Sequence, residues 1–207
     1  MKNIFIMGDS YSTYEGYIPK GYSAYYSDKR TDSPIVDGVE KTWWKILEKQ
    51  MNYNIVLNDS FSGSTICKTG YNGYCHETSF VGRLDKYIED KFFDKNEVDT
   101  FFVFGGTNDS WANSPIGELK HFGHTDEDLK CVLPAFCYLL SRLNDIVKEI
   151  IVILNDELKQ EIIDGFIKAC EEFNIKYVML REIDKVNGHP TVLGMKQISE
   201  QVKKCLD

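Results

Sequence analysis

A chain of 207 residues, 43% hydrophobic and 27% charged, fits one α/β domain with a core of its own and leaves little room for a second. The formal net charge of -8, from 24 basic and 32 acidic residues, argues against nucleic acid, which is held mainly by Lys and Arg on phosphates, and against an anionic membrane surface. No apolar run reaches membrane-spanning length. The run Ile4-Phe5-Ile6-Met7 is too short for a signal-peptide core and meets Gly8-Asp9-Ser10 at once. The cytoplasm is therefore the expected compartment, with export open if a leader has been removed.

The first expected strand is 3–7. Residues 11–41 follow without a clear period and carry Tyr11, Tyr14, Tyr17, Tyr22, Tyr25 and Tyr26. Long insertions of this kind are more often functional or mobile than filler. Coming straight after Ser10, this one is expected to shape a wall of a cleft or to meet a partner subunit. A helix is expected over 42–51, with the pair Trp43-Trp44 read as core, only one of the two facing fully inward. Strand 54–57 comes next, then a Gly/Tyr loop flanked by Cys67 and Cys75. Those two could pair in an exported protein, but a reducing compartment argues against it.

Further along, the expected elements are helix 80–87 or longer, strand 100–104, helix 127–147 with Pro134 in or near its first turns, and strand 150–154. Asn155 is then a plausible cap for a helix over 156–173. Strand 176–180 and a helix starting near Pro190 complete the chain. Cys170 and Cys205 fall on apolar helix positions and read as small buried hydrophobes.

The strand runs are nearly continuous in Ile, Val, Phe and Leu, as in parallel strands covered on both faces. Alternation with helices predicts a three-layer α/β/α sandwich on a flavodoxin-like five-stranded parallel sheet, order 2-1-3-4-5. In such a sheet the site lies beyond the carboxyl ends of the strands. That selects the loops after Met7, Leu57 and Phe104.

Each of those loops carries a motif that alone is an ordinary turn. Gly8-Asp9-Ser10 ends the first strand. Gly63 lies in the loop after the second. Gly105-Gly106-Thr107-Asn108-Asp109 follows the third, and Asn187-Gly188-His189-Pro190 precedes the last helix. Together they supply what acyl transfer needs: Ser10 as nucleophile, His189 as general base, and the N–H groups of Ser10 and Gly63 with the Asn108 amide as oxyanion donors.

This order of blocks, spanning 4–200, resembles the SGNH hydrolases, the GDSL-like lipases and esterases. The resemblance implies an ester-cleaving serine hydrolase without metal or other cofactor, and assigns Ser10, Gly63, Asn108 and His189 the roles above. The sequence departs from the family at Tyr11, where Leu is usual, and at Ser60, where a second Gly is common. A third departure is Val186, where the family has an Asp three residues before the histidine. Asp184, Glu182 or a backbone carbonyl could orient the imidazole instead.

Asp9 and Asp109 read as braces for their loops. Asp9, Tyr11 and Trp111 are also candidate substrate contacts. His121 and His124 in an acidic loop are a weak metal signal, read as a surface loop. The leading expectation is a serine esterase removing a short acyl group, acetyl above all, from a small molecule or carbohydrate. An acyltransferase on the same site and a non-catalytic binding module are the alternatives. The oligomeric state is open.

Overall fold

Ile4, Phe5, Ile6 and Met7 are all fully buried. The first strand shows no polar alternation because both its faces are covered. In the computed structural model, which describes residues 1–206, that strand is β1 (Lys2–Gly8). The chain continues through α1 (Trp43–Met51), β2 (Tyr53–Ser60), a small hairpin of β3 (Thr69–Gly70) and β4 (Gly73–Tyr74), α2 (Phe80–Glu89) and α3 (Phe92–Lys95). Then come β5 (Thr100–Phe104), α4 (Thr107–Trp111), α5 (Val132–Asn144), β6 (Glu149–Leu154), α6 (Gln160–Glu172) and β7 (Lys176–Met179). A second hairpin, β8 (Lys185–Val186) with β9 (His189–Pro190), leads into α7 (Val192–Leu206).

The five long strands form one parallel sheet, ordered β2-β1-β5-β6-β7. Counted within the sheet, this is the expected order 2-1-3-4-5. Gly8 lies in register with Ser60 on one side and Phe104 on the other. The loops leaving β1, β2 and β5 therefore start side by side on one edge.

Strand side chains alternate between two cores. Phe5, Met7, Phe101, Val103 and Val152 face α2, α5 and α6. Ile4, Ile6, Phe102, Phe104, Ile151 and Ile153 face α1 and α7. The Tyr-rich segment belongs to this second core. Tyr11, Tyr14 and Tyr26 are fully buried in it. The Tyr14 hydroxyl donates to Asp28 Oδ1 (2.5 Å) and accepts from the Gly38 N–H (2.9 Å). Trp43 and Trp44 are both buried, the core placement expected of the pair, and this packing explains how both are covered although only one faces the sheet. Trp43 points at the sheet, with Nε1 donating to Ser12 Oγ at 3.1 Å. Trp44 is covered from outside by Tyr17 of the insertion.

Two helix starts differ from expectation. Residues 128–130 form a separate 3-10 turn, and extended Cys131 breaks the chain before α5. Pro134 therefore sits in the first turn of α5, where its missing N–H costs little. α6 begins at Gln160 behind Lys159, so Asn155 is not its cap. All six cysteines are free thiols; Cys67 Sγ lies 3.3 Å from the Thr69 carbonyl. Among the described residues, no helix is long and apolar enough to cross a membrane.

Beneath the sheet edge lies a buried ion pair, Arg83–Asp59, at 2.6 Å. Arg83 also donates to the carbonyls of Asp59 (2.5 Å), Gly8 (3.2 Å) and Thr78 (3.2 Å) and to Ser64 Oγ (3.2 Å). Removing one partner of such a pair strands a charge in a dry site. Arg83→Ala is expected to lower unfolding free energy by about 3–5 kcal/mol, read from urea denaturation. A loss below about 1 kcal/mol, the level of an exposed pair, would contradict this role.

Candidate active site

The Ser10 turn is held from below and behind. A Cβ on Gly8 would meet Ser12 Cβ and Ser60 Oγ at 2.6 Å, so only glycine fits there. Asp9 Oδ1 accepts the Tyr11 N–H at 3.0 Å and caps the 3-10 turn Ser10–Ser12. Thr13 Oγ1 donates to the Ser10 carbonyl at 3.0 Å. Ser10 keeps only 3% of its surface exposed.

His189 arrives on the β8–β9 hairpin. Val186 pairs with His189, and the two turn residues, Asn187 and Gly188, both have positive φ (51° and 72°). This is the backbone of an Asn-Gly hairpin turn, a signal present in the sequence. The Tyr11 hydroxyl donates to the Gly188 carbonyl (2.5 Å) and the Tyr26 hydroxyl to the Pro190 carbonyl (2.8 Å), which pins the hairpin to the sheet. His189 Nε2 then lies 3.0 Å from Ser10 Oγ. Nδ1 lies 3.1 Å from the Asn187 carbonyl. A carbonyl only accepts, so Nδ1 carries the proton and Nε2 of the neutral ring is free to accept from Ser10. Burial holds the His189 pKa below its ordinary value of 6.5; the Asn187 carbonyl opposes that shift, and the charges of Arg30 and Lys185 add to it.

Asp184, one of the groups that could have oriented the imidazole, does not reach it. Its Oδ2 accepts the Thr191 hydroxyl at the start of α7, and the hairpin turn carries His189 away from it. Glu182 makes no bond to the ring among the described residues. The backbone carbonyl is the partner instead.

Asn108 sits in α4, after Gly106 at φ 95°. Its Nδ2 donates to the Ser64 carbonyl (2.9 Å), and its Oδ1 accepts from the Tyr71 hydroxyl (3.0 Å). Both contacts fix which way the amide faces and leave one N–H of the –NH₂ group. Gly63 has φ 86°, with open space where a Cβ would stand, and its N–H meets no acceptor among the described residues. Asp109 accepts from the Ile66 N–H (3.0 and 2.9 Å) and the Cys67 N–H (3.2 Å), which ties this loop to α4. Burial pushes Asp109 up to about 6. It pushes Asp9 up to about 7, with the Tyr11 N–H and Thr107 hydroxyl opposing. Both carboxylates are braces, as read from the sequence.

Asp9 and Tyr11 are fully buried, so neither is a substrate-contacting surface; they hold the Ser10 turn and the hairpin from inside. Trp111 is 39% exposed and meets the His189 ring edge-on at 5.7 Å. His121 contacts Glu172, and His124 bonds the Lys120 carbonyl.

Several residues at the site had no individual role there assigned from the sequence. Tyr25 stacks on His189, with centroids 3.5 Å apart and planes at 5°. Tyr71 orients Asn108. Asn155 donates to the Tyr11 hydroxyl (3.3 Å) and Thr107 Oγ1 (3.1 Å) and accepts from Lys185 (2.8 Å). Tyr25 lies in the insertion expected to wall the cleft, and Asn155 follows a strand at the edge where the site lies; Tyr71 had no such signal.

A hydroxyl 3.0 Å from a neutral imidazole, at the carboxyl edge of a parallel sheet, is the arrangement of a serine-type acyl hydrolase. Comparison with known proteins agrees in class. The family model for GDSL-like lipase/acylhydrolase matches residues 2–206. A candidate GDSL-like lipase from Bacteroides ovatus is 42% identical, with TM-score 0.92 over 100% of this chain and 98% of that one. A second, from Bacteroides uniformis, is 37% identical, with TM-score 0.91 over 99% and 94%. A carbohydrate acetylesterase from Sinorhizobium meliloti shares the fold at 11% identity, with TM-score 0.59 over 100% and 98%. No curated protein matches the sequence. The chain belongs to the GDSL-like lipase/acylhydrolase family, whose members are ester hydrolases.

Protonation of His189 is harder in the folded chain than in the unfolded one. Its contribution to stability is therefore intact above pH 6.5 and is lost as pH falls through the lower folded value. NMR titration of the His189 ring is expected to give a midpoint below 6.5. A midpoint above 6.5 would contradict the burial argument.

Proposed function

We propose that this chain is a serine esterase that removes a short acyl group, acetyl above all, from a carbohydrate or similar small alcohol. Ser10 is the nucleophile. His189 takes its proton through Nε2 and returns it to the leaving alcohol. The Asn187 carbonyl holds the ring in the tautomer this requires. The N–H groups of Ser10 and Gly63 and the remaining Asn108 N–H receive the oxyanion. The observation that carries the reading is the 3.0 Å approach of His189 Nε2 to Ser10 Oγ with Nδ1 committed to a carbonyl.

The substrate class rests on the rim. Trp111 and Tyr71, 39% and 53% exposed, offer aromatic surface beside His189 and Asn108 on which a sugar ring can lie. The name of the Sinorhizobium meliloti neighbour, a carbohydrate acetylesterase, is in keeping with this class.

The test is hydrolysis of p-nitrophenyl acetate by the wild type and three variants. Ser10→Ala and His189→Ala are each expected to lose about 10³-fold or more in kcat. Asp184→Ala, whose carboxylate serves Thr191, should stay within about threefold of wild type, as a surface change does. A loss in Asp184→Ala matching that of His189→Ala would restore it as the orienting group. Wild-type turnover no faster than Ser10→Ala would remove the nucleophile assignment.

Acyl length is a separate test. The acetate ester should exceed the decanoate ester by about tenfold or more in kcat/KM. An acetylated oligosaccharide should release acetate under the same conditions. Preference for the decanoate ester, with no acetate released, would overturn the substrate class.

A further inference from the structure

The imidazole of His189 has one hydrogen-bond partner on its Nδ1 side, a carbonyl in its own hairpin turn. One hydrogen bond directs the N–H but leaves the ring free to tilt about that line. A tilt swings Nε2 away from Ser10 Oγ. Trp111 meets the ring only edge-on at 5.7 Å, and no carboxylate among the described residues supplies a second restraint.

The second restraint is a stack. The phenol of Tyr25 lies flat on the imidazole, with centroids 3.5 Å apart and planes at 5°. The guanidinium of Arg30 lies over the Tyr25 ring at 4.0 Å. Arg30 is itself tied down. Its Nη1 donates to the Tyr25 carbonyl (3.1 Å), its Nε to the Asp32 carbonyl (3.0 Å) and its Nη2 to Asp32 Oδ2 (2.9 Å). The Tyr25 backbone is anchored to the opposite partner of the dyad. Its N–H donates to Thr13 Oγ1 (2.8 Å), and that hydroxyl donates to the Ser10 carbonyl (3.0 Å). A single residue thus touches the histidine with its side chain and the serine turn through one hydroxyl.

We propose that Tyr25, clamped by Arg30, is a positioning residue for His189: it holds the imidazole plane that a carboxylate would otherwise hold and sets it relative to Ser10. The proposal rests on the reading of Ser10 and His189 as nucleophile and base. It assigns the Tyr-rich insertion a specific task, completion of the dyad. Flat stacking needs only an aromatic ring, so the phenol hydroxyl is dispensable.

The test compares Tyr25→Phe, Tyr25→Leu and Arg30→Gln with the wild type, by kinetics and by NMR of the His189 ring protons. Tyr25→Phe should keep most of kcat. Tyr25→Leu should lose about 10- to 100-fold in kcat, the scale of a misplaced reacting group, with KM within about twofold. Arg30→Gln, which leaves the stacked ring in place but unclamped, should fall between. In the spectra, wild type and Tyr25→Phe should show the His189 protons shifted upfield by the stacked ring, and Tyr25→Leu should lose that shift. Its His189 midpoint should rise toward 6.5 as water replaces the ring.

A wild type without the upfield shift overturns the proposal even if no variant folds. So does a Tyr25→Leu enzyme within twofold of wild-type kcat. If the wild type turns over no ester at all, the nucleophile–base reading fails instead, whatever the ring protons report. Turnover by both wild type and Tyr25→Leu at equal rates sinks only the positioning role.

Discussion

The ion pair between Arg83 and Asp59 is the constraint on which the site depends. It lies in a solvent-inaccessible position under the carboxyl ends of β1 and β2. Two charges there carry a large desolvation cost, and attraction between them offsets it only if their other hydrogen-bonding groups are met. They are met by three carbonyls and two hydroxyls: Arg83 reaches the Gly8, Asp59 and Thr78 carbonyls and the Ser64 hydroxyl, while Tyr87 donates to the second Asp59 oxygen at 2.9 Å. The consequence is geometric. Gly8 stands two residues before Ser10, and Ser64 one residue after Gly63. One guanidinium therefore sets the spacing of the Ser10 turn and the adjoining Gly63 loop.

A second buried acid extends the same frame to the third strand. Asp109 on α4 receives the N–H groups of Ile66 and Cys67, while neighbouring Asn108 donates to the Ser64 carbonyl. Loops after β1, β2 and β5 are thereby linked across the sheet edge without any side chain exposed for the purpose. The cost is visible in the two acids, Asp9 and Asp109, which burial raises to about 7 and about 6. Polar groups placed so deep are tolerated where they organise backbone that would otherwise go unpaired.

The histidine comes by a different route. It rides on a two-residue hairpin, pinned by Tyr11 and Tyr26 from the start of the chain. Those two tyrosines belong to the core on the α1–α7 side, so the hairpin that carries the proposed base is anchored to that core. The carbonyl of Asn187 then does part of the work of an orienting carboxylate. It selects the tautomer but carries no full charge to stabilise an imidazolium, which is consistent with the lowered pKa of His189.

Much of this was legible in the sequence. Continuous apolar runs such as Ile4-Phe5-Ile6-Met7 announce strands covered on both faces, and their alternation with helices orders the sheet. That order alone marks the three loops carrying Ser10, Gly63 and Asn108. The Trp43-Trp44 pair is core, as its composition suggests, with one ring on the sheet and the other covered by Tyr17, a contact no helix-face argument supplies. Asn155 misled because a polar residue before a helix resembles a cap, whereas this one is buried among Tyr11, Thr107 and Lys185.

Spacing also raised Asp184 as the orienting acid, but the Asn187-Gly188 turn points His189 the other way and Thr191 takes the carboxylate. The sequence by itself determined the layered sheet, the edge where the site stands and the residue types brought there, since all three follow from local apolar pattern and chain order. Only the tertiary structure decided what lies against the His189 ring and which group orients it. Those contacts join residues such as Tyr25 and His189, whose meeting depends on the path of the whole chain between them.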